Sequence, residues 1–282
     1  MEVLRTVTEL RHWSRSARCA AGSIIGLVPT MGALHAGHAS LIRAGRASCS
    51  HAAVSLFVNP AQFGPHEDFA RYPRSFDADC ALAAREGADV LFAPSVEELY
   101  PYGSNATFVE VPALGDRLDG RTRPGHFRGV ATVVAKLFIA ADPDRAFFGQ
   151  KDAAQVAVIR RLATDLRLDV EIVVCPIVRD ADGLAFSSRN AYLMPEQRAQ
   201  ALILSRAVRH VESLVAQGER RAATLLASAH CVFATQPEVQ IDYIALVDWS
   251  TLEPVAVATS GTLFAVAAWV GSTRLIDNTI LG

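Results

Sequence analysis

The sequence lacks the features that mark several large classes of protein. Its 282 residues include five cysteines and no Cys-x-x-Cys pair, so neither a disulfide framework nor a cysteine metal cluster is predicted. A formal net charge of -2 gives no general attraction to nucleic acid or to anionic lipid. No apolar run approaches the roughly 20 residues of a membrane-spanning helix. We therefore expect a cytoplasmic protein with no nucleic-acid or membrane partner.

Two common nucleotide-binding motifs are also missing. The chain contains no Gly-x-x-x-x-Gly-Lys-Ser/Thr, which disfavours a P-loop kinase. No Gly-x-Gly-x-x-Gly follows an apolar strand pattern, which disfavours a dinucleotide fold of the dehydrogenase type. If the protein binds nucleotides, it does so through another kind of loop.

The chain has the composition of a globular protein, with 51% hydrophobic and 20% charged residues. In its first part, apolar runs alternate with helical patterns, which predicts a parallel α/β sheet. The predicted strands are residues 24–28, 52–58, 89–93, 145–148 and 171–175. After about residue 178, helical patterns (195–217 and 221–235) precede strand patterns (240–247 and 262–270), which indicates a smaller α+β domain. We expect domains of residues 1–178 and 179–282.

The most informative stretch is residues 27–38, Leu-Val-Pro-Thr-Met-Gly-Ala-Leu-His-Ala-Gly-His. It predicts a strand, a tight turn and the start of a helix, with His35 and His38 three residues apart. Free backbone N–H groups and the positive end of the helix dipole make such a turn an anion site. Two imidazoles there can donate to phosphate oxygens and stabilise a developing charge.

Other interpretations of the two histidines remain open at this point. A single histidine near a helix start is more often structural than catalytic. A His-x-x-His pair could also bind zinc, but it supplies only two ligands, and no cysteine or carboxylate stands beside it at a ligand-like spacing.

Several further segments carry groups suited to anionic or polar ligands. Gln62 follows a buried strand pattern, and Lys151 stands at a strand-to-helix turn where its ammonium can reach a phosphate. Ser187-Ser-Arg189 suits phosphate binding, although a helix cap with a surface arginine explains it equally well. Residues 118–130 hold three arginines and a histidine among glycines and proline, which predicts either a positively charged lid or a solvated loop. Residues 107–111 suggest a short edge strand.

These segments together resemble the pantothenate synthetase (pantoate–β-alanine ligase) family of the HIGH-type nucleotidyltransferase superfamily. The resemblance includes residues 29–38, 57–63, 71–74, 123–130, 148–152 with Gln155, 187–190, 267–269 and 274–278, in order along nearly the whole chain. It implies a Rossmann-like N-terminal domain with a smaller C-terminal lid domain, usually in a homodimer. It also implies ATP-dependent condensation of pantoate with β-alanine through a pantoyl-adenylate, with Mg2+ as cofactor.

The resemblance also implies roles for particular residues. His38, His35, Lys151 and Arg189 would be the catalytic group. Gln62 and Gln155 would bind pantoate, with Gln62 also near β-alanine. The ATP site would comprise Met31, Gly32, Ala33, Leu34, His35, Ala36, Gly37, His38, Gly149, Gln150, Lys151, Asp152, Val178, Phe186, Ser187, Ser188 and Arg189. Metal ligands remain unassigned, with the acidic segment Asp77-Ala-Asp79 as a candidate for magnesium.

The sequence departs from the family pattern at a few positions. Ala36 stands where an acidic residue is usual between the two histidines, and Ala153 and Ala154 precede Gln155 where an aromatic residue and a glutamine are usual. Phe186 stands where methionine or leucine is common. These departures concern fine positioning in the site and leave the predicted reaction unchanged.

Two other functions fit parts of the same pattern. A relative that stops at nucleotidyl transfer would share the two histidines, but the neutral amides of Gln62 and Gln155 suit the hydroxyl groups of a small polar acid. A nucleotide-binding regulatory module without catalysis should have lost some of the cationic and imidazole donors. The four donors of this sequence are all present, namely His35, His38, Lys151 and Arg189.

Overall fold

The computed structural model of this chain describes residues 1–19, 21–65, 67–104 and 106–282. These residues form two compact units, residues 1–149 with 158–176, and residues 150–157 with 177–282. The domain boundary near residue 178 stays a prediction from the sequence.

The first unit is built on a six-stranded sheet in which every strand pair is parallel. Its strands are β1 (Glu2–Leu4), β2 (Ile25–Thr30), β3 (His51–Leu56), β4 (Val90–Phe92), β5 (Arg145–Gly149) and β6 (Glu171–Cys175). Val28 and Leu27 are both buried, and successive side chains of a strand point to opposite faces. The central strand is therefore covered on both sides, as expected for a parallel sheet.

Helices connect the strands of the first unit. They are α1 (Val7–Ala17), α2 (Ala36–Ser48), α3 (Phe76–Arg85), the short α4 (Val96–Leu99), α5 (Pro112–Gly115) and α6 (Asp119–Thr122), and the long α7 (His126–Ala141). Helix α8 (Ala153–Asp165) precedes β6. The strand order β1-β4-β3-β2-β5-β6 reverses direction between β2 and β5. Ligands of open parallel sheets bind at such a reversal, outside the carboxyl ends of the strands.

The second unit contains a three-stranded antiparallel sheet of β7 (Val239–Asp248), β8 (Thr262–Val270) and β9 (Thr273–Leu281). Helices α9 (Pro195–Ala216) and α10 (Ala222–Phe233) pack on it through a separate apolar core. Leu204, Val208, Leu225 and Phe264 are almost completely buried in that core. The predicted fold class is confirmed.

The structure differs from the local predictions in four places. Residues 107–111 form no strand, and residues 118–130 are not one loop, because α6 and the start of α7 lie within them. The three-residue strand β1 and the C-terminal strand β9 were both missed. In β9, Arg274, Asp277 and Asn278 interrupt the apolar pattern, and pairing with β8 decides the conformation of the segment.

Among the described helices, none is long and apolar enough to cross a membrane.

Candidate active site

The loop after β2 contains one residue, Ala33, in a backbone conformation that its side chain disfavours. Gly32 and Ala33 have φ angles of 88° and 51°, and the left-handed region is unfavourable for alanine. The hydroxyl of Thr30 accepts the N–H of Gly32 at 3.3 Å. The buried carboxylate of Asp79 accepts the N–H groups of Ala33 and Leu34 at 2.9 and 2.7 Å. Tertiary hydrogen bonds therefore hold the turn that leads to His35.

His35 and His38 lie together at the start of α2. His35 is the N-cap of this helix, and its Nδ1 accepts the N–H of Gly37 at 3.1 Å. The Nδ1 of His38 accepts the N–H of His35 at 3.3 Å, which completes a reciprocal capping box. The two ring centroids are 4.1 Å apart, and both side chains are half-buried.

These hydrogen bonds determine the tautomer of each neutral ring. A nitrogen that accepts a backbone N–H carries no proton, so in both neutral histidines the proton resides on Nε2. Each imidazole can therefore offer an Nε2–H donor. The structure thus combines two side-chain donors with the positive end of a helix dipole, which suits a phosphate that gains negative charge.

Gln62 lies buried in a 3₁₀ turn, residues 60–62, after β3. The orientation of its amide follows from its neighbour Asn59, whose Oδ1 accepts the N–H of Ala61 at 3.3 Å and whose Nδ2 donates to the carbonyl of Gly129 at 3.0 Å. Asn59 Nδ2 also donates to Gln62 Oε1 at 3.0 Å, which turns Gln62 Nε2 toward the sulfur of Met31, 3.0 Å away. The structure thus brings together two predicted site residues, Gln62 and Met31.

Hydrogen bonds from Tyr100 and His126 hold the turn that contains Gln62. The Tyr100 hydroxyl donates to Asn59 Oδ1 at 2.8 Å, and burial raises the pKa of Tyr100 to about 12, so it is neutral and able to donate. His126 is buried, and its Nδ1 lies 2.9 Å from the Gln62 carbonyl oxygen. Burial and the charge of Arg123 lower the pKa of His126 to about 4, so this ring is neutral at pH 7.

An ion pair completes this arrangement. Arg123 Nη1 lies 3.0 Å from His126 Nε2, and Arg123 donates to both carboxylate oxygens of Glu67 at 2.7 and 2.6 Å. Burial raises the pKa of Glu67, but the hydrogen bonds and charge of Arg123 outweigh this effect, so its pKa is lowered. Because Arg123 donates to Nε2, the Nδ1–H of His126 donates to Gln62.

Lys151 lies in a short turn of the second unit, which we call the Lys151 turn. Residues 150–152 form one 3₁₀ turn directly before α8, in which Gln155 is half-buried. The Asn278 amide, in β9, donates to the carbonyls of Gln150 and Lys151 at 3.0 and 2.8 Å. The half-buried Lys151 has its Nζ 3.5 Å from an Asp152 oxygen. The C-terminal strand therefore fixes the backbone that carries Lys151.

The remaining predicted residues also belong to the second unit, except Gly149, which ends β5 in the first. The carbonyl of Val178 accepts the N–H of Phe186 at 3.0 Å, and Ser187 Oγ accepts the N–H of Arg189 at 3.3 Å. Arg179 makes two hydrogen bonds, of 2.6 and 2.8 Å, to the buried carboxylate of Asp277. This bidentate pair attaches the segment that carries Val178 to β9.

The sequence did not predict a supporting role for Asn59, Asp79, Tyr100 and His126 in the first unit, or for Asn278 in the second. Asp79 was a candidate for magnesium, yet both of its oxygens accept N–H groups of the loop. In the part of the chain that the structure describes, no three His, Cys, Asp or Glu residues are grouped so as to hold a metal ion. The sequence signal that could have identified Asp79 is an acidic residue in the first turn of α3, which is also an ordinary helix-start feature.

The sequence is similar to that of known proteins over most of its length. The family model described as pantoate-beta-alanine ligase matches residues 2–280. A pantothenate synthetase of Acidobacterium capsulatum is 60% identical over 92% of this chain and 86% of its own.

Solved structures extend the similarity to the fold. A pantothenate synthetase of Thermus thermophilus superposes with a TM-score of 0.93 at 44% identity, covering 99% of each chain. A pantoate-beta-alanine ligase of Francisella tularensis, solved with Beta-gamma ATP and beta-alanine, gives a TM-score of 0.80 at 30% identity, covering 99% of this chain and 97% of its own. The chain therefore belongs to the pantoate–β-alanine ligase family.

Proposed function

We propose that this protein condenses (R)-pantoate with β-alanine at the expense of ATP, through a pantoyl-adenylate. An oxygen of the pantoate carboxylate bonds to the α-phosphorus of ATP, and the bond from that phosphorus to the bridging oxygen breaks to release pyrophosphate. The β-alanine amine then bonds to the acyl carbon, AMP leaves, and the amine loses a proton. This chemistry needs stabilisation of developing charge more than a protein nucleophile.

The His35–His38 pair at the start of α2 carries this proposal. Both neutral rings have their proton on Nε2, and they lie at the start of the helix that follows β2, at the reversal of sheet order. Donors of this kind stabilise the charge that accumulates on the α-phosphate during attack. His38, with His35, is proposed as the catalytic pair, and residues 31–38 as part of the ATP site.

Gln62 is proposed to bind pantoate. Its Oε1 is used by Asn59, and its Nε2 has two hydrogens, only one of which can point at Met31. The other can donate to a hydroxyl or carboxylate oxygen of pantoate. Gln155 is proposed to complete the pantoate site, and Lys151 and Arg189 to neutralise the triphosphate.

Mg2+ is proposed to enter with the nucleotide. The described residues offer no carboxylate cage, and protein-bound Mg2+ commonly relies on substrate phosphates and water with few protein ligands. When bound, it would neutralise phosphate charge.

A homodimer is also proposed, as are a catalytic domain of residues 1–178 and a lid domain of residues 179–282. A cytoplasmic location is proposed because the five cysteines are all free thiols.

Exchange of labelled pyrophosphate into ATP tests the reaction. With ATP, Mg2+ and pantoate but no β-alanine, we expect exchange, because the first half-reaction needs only these reactants. Adding β-alanine should then yield AMP and the amide. Exchange that requires β-alanine would rule out adenylation as a separate first step, and exchange without pantoate would indicate a different acceptor.

The same assay tests the two glutamines. An analogue lacking the pantoate hydroxyls should exchange at least about 100-fold more slowly, because a buried amide would be left unpaired. Gln62→Ala and Gln155→Ala should lose most of this preference. Equal rates with pantoate and its deoxy analogue would exclude hydroxyl recognition by these residues.

A further inference from the structure

Asp79 is a buried carboxylate that the proposed chemistry does not itself use. It lies in the first turn of α3 with 2% of its surface exposed. Oδ2 accepts the N–H of Ala33 at 2.9 Å, and Oδ1 accepts the N–H of Leu34 at 2.7 Å and the Ser75 hydroxyl at 3.1 Å. One carboxylate thus binds two successive amides of the loop that precedes the histidines.

The hydrogen bonds to Asp79 stabilise a loop in which Ala33 has an unfavourable backbone conformation. Gly32 and Ala33 are both left-handed, and a side chain disfavours that conformation at Ala33. A Cβ on Gly32 would lie 3.2 Å from Asp79 Oδ2, so the carboxylate and the loop are in close contact. Bonds to a charged acceptor are stronger than neutral ones, and here they maintain a turn that local preference opposes.

The position of this turn determines the positions of the two histidines that follow it. His35 follows Leu34, and its N–H donates to His38 Nδ1, which fixes both the ring position and the Nε2–H tautomer of His38. A shift of the Leu34 backbone therefore moves the donor that holds His38. From this chain of contacts we propose that Asp79 is a positioning residue for the adenylation step, acting through the loop on His35 and His38.

The proposal rests on the proposed function, so the unchanged protein is measured first by pyrophosphate exchange. Absence of pantoate-dependent exchange there would defeat the proposed function itself. If exchange is present, Asp79→Asn is compared with Asp165→Asn, which changes an exposed aspartate at the end of α8. The asparagine presents an NH2 to one of the two backbone N–H groups, which must then move.

We expect Asp79→Asn to lower the maximal exchange rate about 10- to 100-fold, since misplacing a catalytic group by about 1 Å costs up to about 100-fold. The KM for pantoate should change little, because Gln62 is held by other residues. Asp165→Asn should exchange within about 2-fold of the unchanged protein, as surface substitutions usually have small effects. Near-normal exchange by a folded Asp79→Asn would overturn the proposal.

A double-mutant cycle separates positioning from general destabilisation. If Asp79 acts through His38, adding Asp79→Asn to His38→Ala should lower the rate much less than it does alone. Multiplicative effects would overturn the proposal. If Asp79→Asn does not fold, the same cycle is run with Asp79→Glu, which keeps the charged acceptor, and the same two outcomes decide.

Discussion

The Nδ1 atom of His126 lies 2.9 Å from the backbone carbonyl oxygen of Gln62, so a buried neutral histidine holds the turn proposed to bind pantoate. Arg123 occupies the other ring nitrogen and is itself paired with Glu67. The tautomer of His126 is thereby fixed, and its proton faces Gln62. This hydrogen bond fixes the backbone of the turn whose Gln62 side chain is proposed to bind pantoate.

This arrangement predicts loss of stability in mild acid. The pKa of folded His126 is about 4, against 6.5 as the ordinary value, so the unfolded chain takes up the proton first as pH falls. The contribution of His126 is fully present above about pH 6.5 and declines toward pH 4, by on the order of 3 kcal/mol. Urea unfolding measured from pH 7 to pH 4 checks this.

His126→Asn is the variant for comparison, because its amide can donate to the Gln62 carbonyl and does not titrate. Its unfolding free energy should depend less steeply on pH than that of the unchanged protein. His12→Asn changes an exposed histidine and serves as the control. Equal slopes for His126→Asn and the unchanged protein would contradict the assignment.

Gly129→Ala should disturb the same turn from the side of α7. A Cβ at this position would overlap the carbonyl oxygen of Ala61 and lie 2.6 Å from the Cα of Gln62. We expect a loss of about 1–3 kcal/mol in unfolding free energy, as is typical of overpacking, and a higher KM for pantoate. Gly115→Ala, where a Cβ meets no atom within 4 Å, should change neither quantity appreciably.

His38→Ala should lower turnover without unfolding the protein. Loss of one donor to the developing charge costs on the order of 3 kcal/mol, or about 10²- to 10³-fold in rate. His38 is half-buried at a helix start, so the fold tolerates its removal. Turnover and circular dichroism measured together test this, and a nearly normal rate would show that the ring has a structural role.

Lys151→Ala should impair adenylation more than the second half-reaction, because its ammonium is proposed to neutralise the triphosphate as pyrophosphate leaves. Asn278→Ala should produce a milder form of the same defect, since Asn278 holds the carbonyls of Gln150 and Lys151. Pyrophosphate exchange is compared with amide formation from preformed pantoyl-adenylate and β-alanine. Equal losses in the two half-reactions would argue against this role.

Much of the fold was predictable because periodicity is a local property of the chain. The apolar runs predicted β2, β3 and β5 within a few residues, and the strand pattern at Thr262–Val270 matched β8 at both ends. The strand predicted at residues 107–111 was wrong, and the C-terminal strand β9 was missed. Strand formation at both places depends on a pairing partner, which the local sequence does not show.

By itself, the sequence determined the alternation of strands and helices, the paired histidines at a helix start and the resemblance to one enzyme family. These depend on residue types and short spacings. Only the tertiary structure decided which groups support them: Asp79 is 45 residues from Leu34 along the chain, yet it accepts the N–H of that residue. Asn278 likewise reaches the Lys151 turn across 127 residues. Such contacts arise because strand order and helix packing bring distant segments together, which no local pattern encodes.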